Sequence, residues 1–255
     1  QNALTLNSGS IKDLAGNNAN LTLPLPGQSG SLASSKNLII DTIAPSISIG
    51  AKNSAGSVVS DGATTNNDSL LITFTLSEAA SNFAVDDISL SGGQLSNFTA
   101  TSSTVYSAVF KPSSAGETTI DIAANKFTDS AGNNNTASSQ FNWSFDNIAP
   151  SISIGAKNSA GSVVSDGATT NNDSLLITFT LSEAASNFAV DDISLSGGQL
   201  SNFTATSSTV YSAVFKPSSA GETTIDIAAN KFTDSAGNNN TASSQFNWSF
   251  DNIAP

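Results

Sequence analysis

The sequence predicts an all-β chain, organised as a tandem array of two-sheet Greek-key sandwiches. Three observations carry that expectation. Residues 46–150 and 151–255 are the same 105 residues, letter for letter, and each copy is long enough to bury a core of its own. Helical periodicity is missing, while short runs of alternating apolar and polar residues recur between clusters of Gly, Asn, Ser and Asp. Three matching seams, Asp41-Thr42-Ile43-Ala44-Pro45, Asp146-Asn147-Ile148-Ala149-Pro150 and Asp251-Asn252-Ile253-Ala254-Pro255, fix the register, so the chain reads as a segment of a longer run of units.

Within the first copy, Ile47 and Ile49 alternate in strand A, and Leu70, Ile72, Phe74 and Leu76 give strand B one apolar face. Phe83, Val85, Ile88 and Leu90 mark strand C, with a change of phase at Asp86-Asp87 that reads as a bulge. Ser91-Gly92-Gly93-Gln94 is a turn before strand D, around Leu95 to Ala100. Tyr106, Ala108 and Phe110 form E, ended by Pro112; Ile120 and Ile122 form F; Phe141, Trp143 and Phe145 form G. The seven Phe, one Tyr and one Trp of each copy sit at alternate positions or strand ends with polar neighbours, which is the pattern of a packed core rather than of a ligand platform. Ile72, Phe74, Phe110, Ile122 and Trp143 are the expected centre of that core.

The first 45 residues make sense beside the end of a repeat. Lys12-Asp13-Leu14-Ala15-Gly16-Asn17-Asn18 matches Thr128-Asp129-Ser130-Ala131-Gly132-Asn133-Asn134 in its Asp-x-Ala-Gly-Asn-Asn core, with an excess of 11 residues near Leu23-Pro24-Leu25-Pro26-Gly27 before the seam. Residues 1–41 are therefore expected to be the F and G strands of a divergent preceding sandwich, with residues 42–146 and 147–255 as the first and second repeats. Two strands without the other five leave edges free to pair with another chain.

Composition narrows the function. Eight Lys and no Arg face 20 acids, a net charge of −12 that opposes nucleic acid and anionic membranes. No apolar run is long enough to insert directly into a bilayer. Cys, Met and His are all absent, which removes disulfides, thiolate and imidazole catalysis and the usual zinc or copper ligands. No Ser-Lys or spaced carboxylate pair replaces them, so the chain is read as a non-enzyme. What remains is hard-cation chemistry.

In an A-to-G order, Glu78, Asp129 and one of Asp86 or Asp87 fall at the N-terminal pole of a repeat beside the incoming seam residue Asp41. Asp61, Asp68, Glu117 and the outgoing seam residue Asp146 fall at the C-terminal pole. Where the repeats meet, Asp61, Asp68 and Asp146 then approach Glu183, Asp191, Asp192 and Asp234, a concentration of like charge that calls for a cation. Ca²⁺ suits it, because it takes six to eight oxygen ligands in flexible geometry. The loop Asp129 to Asn135 adds a Gly turn and three amide oxygens, although turn formation alone also accounts for those residue types.

The runs Leu71-Ile72-Thr73-Phe74-Thr75-Leu76-Ser77-Glu78, Phe83-Ala84-Val85-Asp86-Asp87-Ile88, Tyr106-Ser107-Ala108-Val109-Phe110-Lys111-Pro112, Phe127-Thr128-Asp129-Ser130-Ala131-Gly132-Asn133 and Asp146-Asn147-Ile148-Ala149-Pro150 resemble the bacterial immunoglobulin-like repeats of giant surface adhesins. The resemblance implies tandem seven-strand immunoglobulin-like sandwiches at the bacterial cell surface, serving as an extender that holds an adhesive domain away from the cell. It also implies calcium at the joints, with Asp146, Glu183 and Asp234 as junction ligands and neighbouring repeats of the same chain as partners. The alternative is a module that itself binds a glycan or protein, or that assembles laterally into a layer or filament.

Overall fold

Alternation in the sequence becomes alternation of burial. In the computed structural model, which describes residues 6–36 and 39–254, the strand Leu70–Leu76 buries Leu70, Ile72, Phe74 and Leu76 and leaves Leu71 and Thr75 exposed. The chain divides into two compact units, Gln1–Ile43 and Ala44–Pro255.

The second unit holds both repeats. The first contains β1 (Ile47–Lys52), β2 (Val58–Val59), β3 (Ala63–Thr65), β4 (Leu70–Leu76), β5 (Ile88–Ser91), β6 (Gly93–Ala100), β7 (Val105–Pro112), β8 (Gly116–Ile122) and β9 (Phe141–Phe145). Strands β10 (Ile152–Lys157) to β18 (Phe246–Phe250) repeat the series. One sheet has the order β2-β1-β4-β7-β6 and the other β3-β9-β8-β5, so strands A, B, E and D lie in one layer and G, F and C in the other. That division is the immunoglobulin-like sandwich. All pairs of the first repeat are antiparallel except β3 with β9, which run parallel through Ala63↔Trp143 and Thr65↔Phe145, as the corresponding strands do in the second repeat.

The inner faces make one core per repeat. Ile72, Phe74, Phe110 and Ile120 are 0% exposed and Ile122 and Trp143 are 1% exposed, with equivalent values for Ile177, Phe179, Phe215 and Trp248. Phe110 meets Trp143 edge to face at 4.7 Å, a geometry that adds to the area the two rings bury. The aromatic residues pack as expected of a core, although Phe98 and Tyr106, stacked at 5.6 Å near the β6 edge, are only half-buried.

Four details depart from the expectation. Each repeat has nine strands rather than seven, because Val58–Val59 and Ala63–Thr65 form short edge strands within the A–B connection. Running parallel to β9, β3 carries Asp61 to the start of that strand, where its Oδ1 accepts the Asn142 N–H at 2.8 Å. Asp61 therefore sits away from the C-terminal pole. The Asp86-Asp87 phase change is a 3-10 turn, Val85–Asp87, rather than a bulge; it leaves Val85 43% exposed, and strand C begins only at Ile88. The bulge lies instead in β6, where the register against β7 shifts between Ser96 and Thr99 and Asn97 adopts φ +55°. Pro112 ends β7 but belongs to it, opposite Gly93, and a Cβ at Gly93 would stand 2.4 Å from the Phe110 ring. Only glycine lets β6 cross that ring so closely.

In the first unit the shared Asp-x-Ala-Gly-Asn motif folds as its sequence match predicts. Asp13 Oδ1 accepts the N–H groups of Ala15 and Asn17 at 2.9 Å, its Oδ2 accepts the Asn17 amide, and Lys12 bridges Asn18. The equivalent bridge in the repeats is Thr128 to Asn134. The F and G strands expected within residues 1–41 do not form among the described residues there, where Ile39 and Ile40 are exposed; residues 1–5, 37 and 38 lie outside the described ones. A four-residue helix, α1 (Leu32–Ser35), capped by the Ser31 side chain, was not legible beforehand.

Candidate metal centre at the repeat junction

Three chain segments converge where the repeats join. The first is the loop before β18, where Asp234 Oδ1 accepts the N–H groups of Gly237 (2.7 Å) and Asn238 (2.8 Å) and Oδ2 accepts the Asn238 side-chain amide (2.8 Å). Gly237 at φ +94° closes the turn. Asp234 is 2% exposed as a result.

The second segment follows β13 (Leu175–Leu181). Ala185 bridges Asp234, the Ser186 hydroxyl donates to the Asp234 carbonyl at 2.7 Å, and Asn187 Oδ1 accepts the Thr233 N–H at 2.8 Å. These bonds hold Ser182-Glu183-Ala184 against the Asp234 turn. The third is the seam from the first repeat. The Asp146 N–H donates to the Thr65 carbonyl at 3.1 Å, its Oδ1 accepts the Ile148 N–H at 3.0 Å, and its carbonyl accepts the Asn238 amide at 2.9 Å. The Asn66 N–H crosses the same boundary to the Ala236 carbonyl at 3.1 Å, and Thr241 fastens the far end of the linker by donating to the Pro150 carbonyl at 2.9 Å. Both ends of Asn147-Ile148-Ala149 are thereby pinned.

The product is a carboxylate triad. Asp146, Glu183 and Asp234 each offer an oxygen, all within 4.8 Å of one another. Burial, and then the charges of Asp146 and Asp234, push the Glu183 carboxyl above the usual carboxylate range. Like charges about 4 Å apart repel by about 1 kcal/mol in water and about 4 kcal/mol at the effective dielectric of a protein surface. A divalent cation removes that cost. Hard oxygens alone, partly buried, with carboxylate lone pairs beyond those engaged by the turn, fit Ca²⁺ and offer nothing to softer metals.

Other acids considered from the sequence lie outside the triad. Asp192 Oδ2 accepts the Ala189 N–H at 2.9 Å and so closes the second 3-10 turn, as Asp87 does with Ala84 at 2.9 Å. Asp68 is exposed and accepts from the neighbouring Ser69 hydroxyl. Asp41 belongs to the first unit and repeats the seam turn, its Oδ1 accepting the Ile43 N–H at 3.0 Å. Glu78 and Asp129 belong to the second unit and occupy the positions that Glu183 and Asp234 hold one repeat later. Of the three amides after Gly132, Asn135 is no ligand: 2% exposed, it spends its Oδ1 on the N–H groups of Lys126 and Phe127 and its amide on the carbonyls of Ala123 and Thr136. The side chain and backbone that bond the repeats directly, those of Asn238 and Asn66, carry no acidic signature in the sequence.

Asp129 gives a pH prediction. The Asn133 side-chain amide first, and the N–H groups of Asn133, Gly132 and Ala131 next, hold its carboxyl below the ordinary value against the opposing effect of burial. A depressed folded value means that its contribution is complete above the unfolded aspartate value and is lost as pH falls through the folded one. The urea midpoint of the parent is expected to fall on acidification through that window. In Asp129→Asn this component of the acid response disappears, and an identical acid profile in the two proteins contradicts the assignment.

Residues 41–145 and 146–250 each match the bacterial Ig-like domain, so the chain belongs to that family. Among solved structures it is similar to the Yersinia pseudotuberculosis adhesin InvE, at 12% identity and TM-score 0.29, covering 80% of this chain and 58% of that one. It is similar to invasin, a bacterial integrin-binding protein, at 15% identity and TM-score 0.43, covering 81% of this chain and 40% of that one. It also matches the C-terminal domain of the Streptococcus agalactiae polypeptide BspA, at 10% identity and TM-score 0.35, covering 80% and 99%. The chain thus spans 58% of InvE and 40% of invasin. No curated protein matches it. Among the described residues no helix is long and apolar enough to cross a membrane.

Proposed function

We propose that this chain is a non-catalytic spacer segment of a bacterial cell-surface adhesin, its tandem sandwiches braced by calcium where they join. The single observation that carries the reading is the triad Asp146, Glu183 and Asp234, drawn from two repeats across one seam. Identical copies support it too, since repetition lengthens a rod without new chemistry. Membership of both repeats in the bacterial Ig-like family accords with that reading. Extracellular calcium modules bind at about 0.1–1 mM, so such a site fills outside a cell and empties inside it. Asp146 and Asp234 are already fixed by turn hydrogen bonds, so binding costs little ordering there, while Glu183 is drawn into its charged form.

The test is small-angle scattering with thermal melting, in millimolar calcium and in chelator, on the parent and on Asp146→Ala. Calcium is expected to lengthen the maximum dimension of the parent and to narrow the spread of conformations. At one hundred times the dissociation constant it adds about 2.7 kcal/mol per site to the native state. Asp146→Ala loses most of both effects. A parent whose dimension and melting temperature ignore calcium overturns the braced spacer.

A further inference from the structure

Charge is segregated between the two faces of every sandwich. The strands β1, β2, β4, β7 and β6 carry Lys52 and Lys111 and no acid, whereas β3, β9, β8 and β5 carry Glu117 and Asp121 and no base. All four side chains point outward, because their neighbours Ala51, Phe110, Thr118, Ile120 and Ile122 fill the core. Beside Lys52 the outer surface is apolar: Val58, Lys52, Leu71 and Val109 lie in one cross-strand row, with Val58 72% and Leu71 44% exposed, while Lys111 stands opposite Gln94. Around the acids it is polar, with Ser89 opposite Asp121 and Ser144 opposite Glu117.

The spacings match as well as the signs. Lys52 pairs with Leu71 and Leu71 with Val109, so Lys111 stands two strands across and two residues along from Lys52, about 12 Å away at ordinary strand dimensions. Glu117 and Asp121 are four residues apart on β8, about 13 Å. The second repeat presents the same sets as Lys157 and Lys216 and as Glu222 and Asp226.

We propose that the chain associates side by side with further copies of itself, the lysine face of one repeat seated on the acidic face of a repeat in a neighbouring chain. Single exposed ion pairs are weak. Here four opposite-sign pairs recur in fixed register along two repeats, and the exposed Val58 and Leu71 are covered by the contact, so affinity accumulates along the length of the chains. The contact is heterologous, with each chain keeping one face of each sign free, so it builds sheets or bundles rather than closed dimers. The net charge of −12 works against it at long range, and physiological salt screens that repulsion while leaving pairs at contact distance in force.

Sedimentation of the full chain from micromolar to near-millimolar concentration, in chelator and physiological salt, reads the association without any metal at the junction. The parent is expected to show reversible, open-ended growth in mass. Reversing the lysine face (Lys52→Glu, Lys111→Glu, Lys157→Glu and Lys216→Glu) or the acidic face (Glu117→Lys, Asp121→Lys, Glu222→Lys and Asp226→Lys) weakens it at least about tenfold, since each puts like charges together. Mixing the two variants restores association between them, because one then has two negative faces and the other two positive. Lys126→Glu with Lys231→Glu, outside the strands, leaves the parent behaviour intact. A parent that stays monomeric, a loop-lysine control as weak as the lysine-face variant, or a mixture that fails to associate overturns the proposal.

Discussion

Phe74→Ala is expected to unfold the first repeat well below the second, splitting one melting transition into two. Phe74 is 0% exposed and its ring lies 5.8 Å from Phe83 and 6.3 Å from Phe98, between the two sheets. Truncation removes most of a buried ring and leaves a cavity that a β-sandwich, tied by ladders on both sides, closes only in part. The expected cost is about 3–5 kcal/mol, against a total stability of about 5–15 kcal/mol for a domain. The melting temperature of that repeat should fall by about 15–30 °C. Phe179 occupies the same place in an identical sequence, so the second repeat is an internal control within the same molecule. Differential scanning calorimetry reads the outcome. A single transition at the parental temperature means that the inner face of β4 does not hold the sandwich together.

The inner faces were legible because each of those strands is buried on one side only, which forces the period of two that Leu70 to Leu76 and Phe141 to Phe145 display. What escaped is physically different. Val58–Val59 and Ala63–Thr65 are two- and three-residue strands, too short to alternate, and their pairing is set by the strands they flank. The parallel match of β3 with β9 is a tertiary choice with no local signal, and it is what moved Asp61. Asp86-Asp87 reads equally well as a bulge or a turn; the hydrogen bond from the Ala84 N–H to Asp87 decides it.

The junction was legible only as charge. An acid at a seam and acids in two loops of one pole must meet if the repeats stack, and Asp146, Glu183 and Asp234 do. The bonds that bring them there run through the carbonyls of Thr65, Asp146 and Ala236 and the N–H of Asn66, and main-chain groups are the same in every residue. Asn135 misled for a related reason: an amide in a turn-rich loop serves a cation or the backbone equally well, and here all its bonds go to the backbone.

Glu183→Gln is expected to act in opposite directions with and without calcium. Burial and the neighbouring Asp146 and Asp234 raise the Glu183 carboxyl value in the folded chain. A raised acid contributes stability that is complete below its unfolded value and is lost as pH rises through the folded one, so at neutral pH the ionised side chain works against the metal-free junction. Gln keeps the size and removes the charge. In chelator at neutral pH the variant should therefore melt above the parent, and the difference should vanish on acidification through the Glu183 titration. In calcium the order reverses. Loss of one of three carboxylates weakens a site tuned by ligand charge, and since even outer partners of metal ligands cost about 10–100-fold in affinity, at least tenfold is expected. At a calcium level one hundred times the parental dissociation constant, a tenfold loss cuts the added stability of about 2.7 kcal/mol to about half. Calorimetric titration and melting in both conditions measure the pair of effects. A variant less stable than the parent in chelator as well would make the Glu183 carboxylate a structural acceptor, and the repulsion that calls for a cation would then not exist.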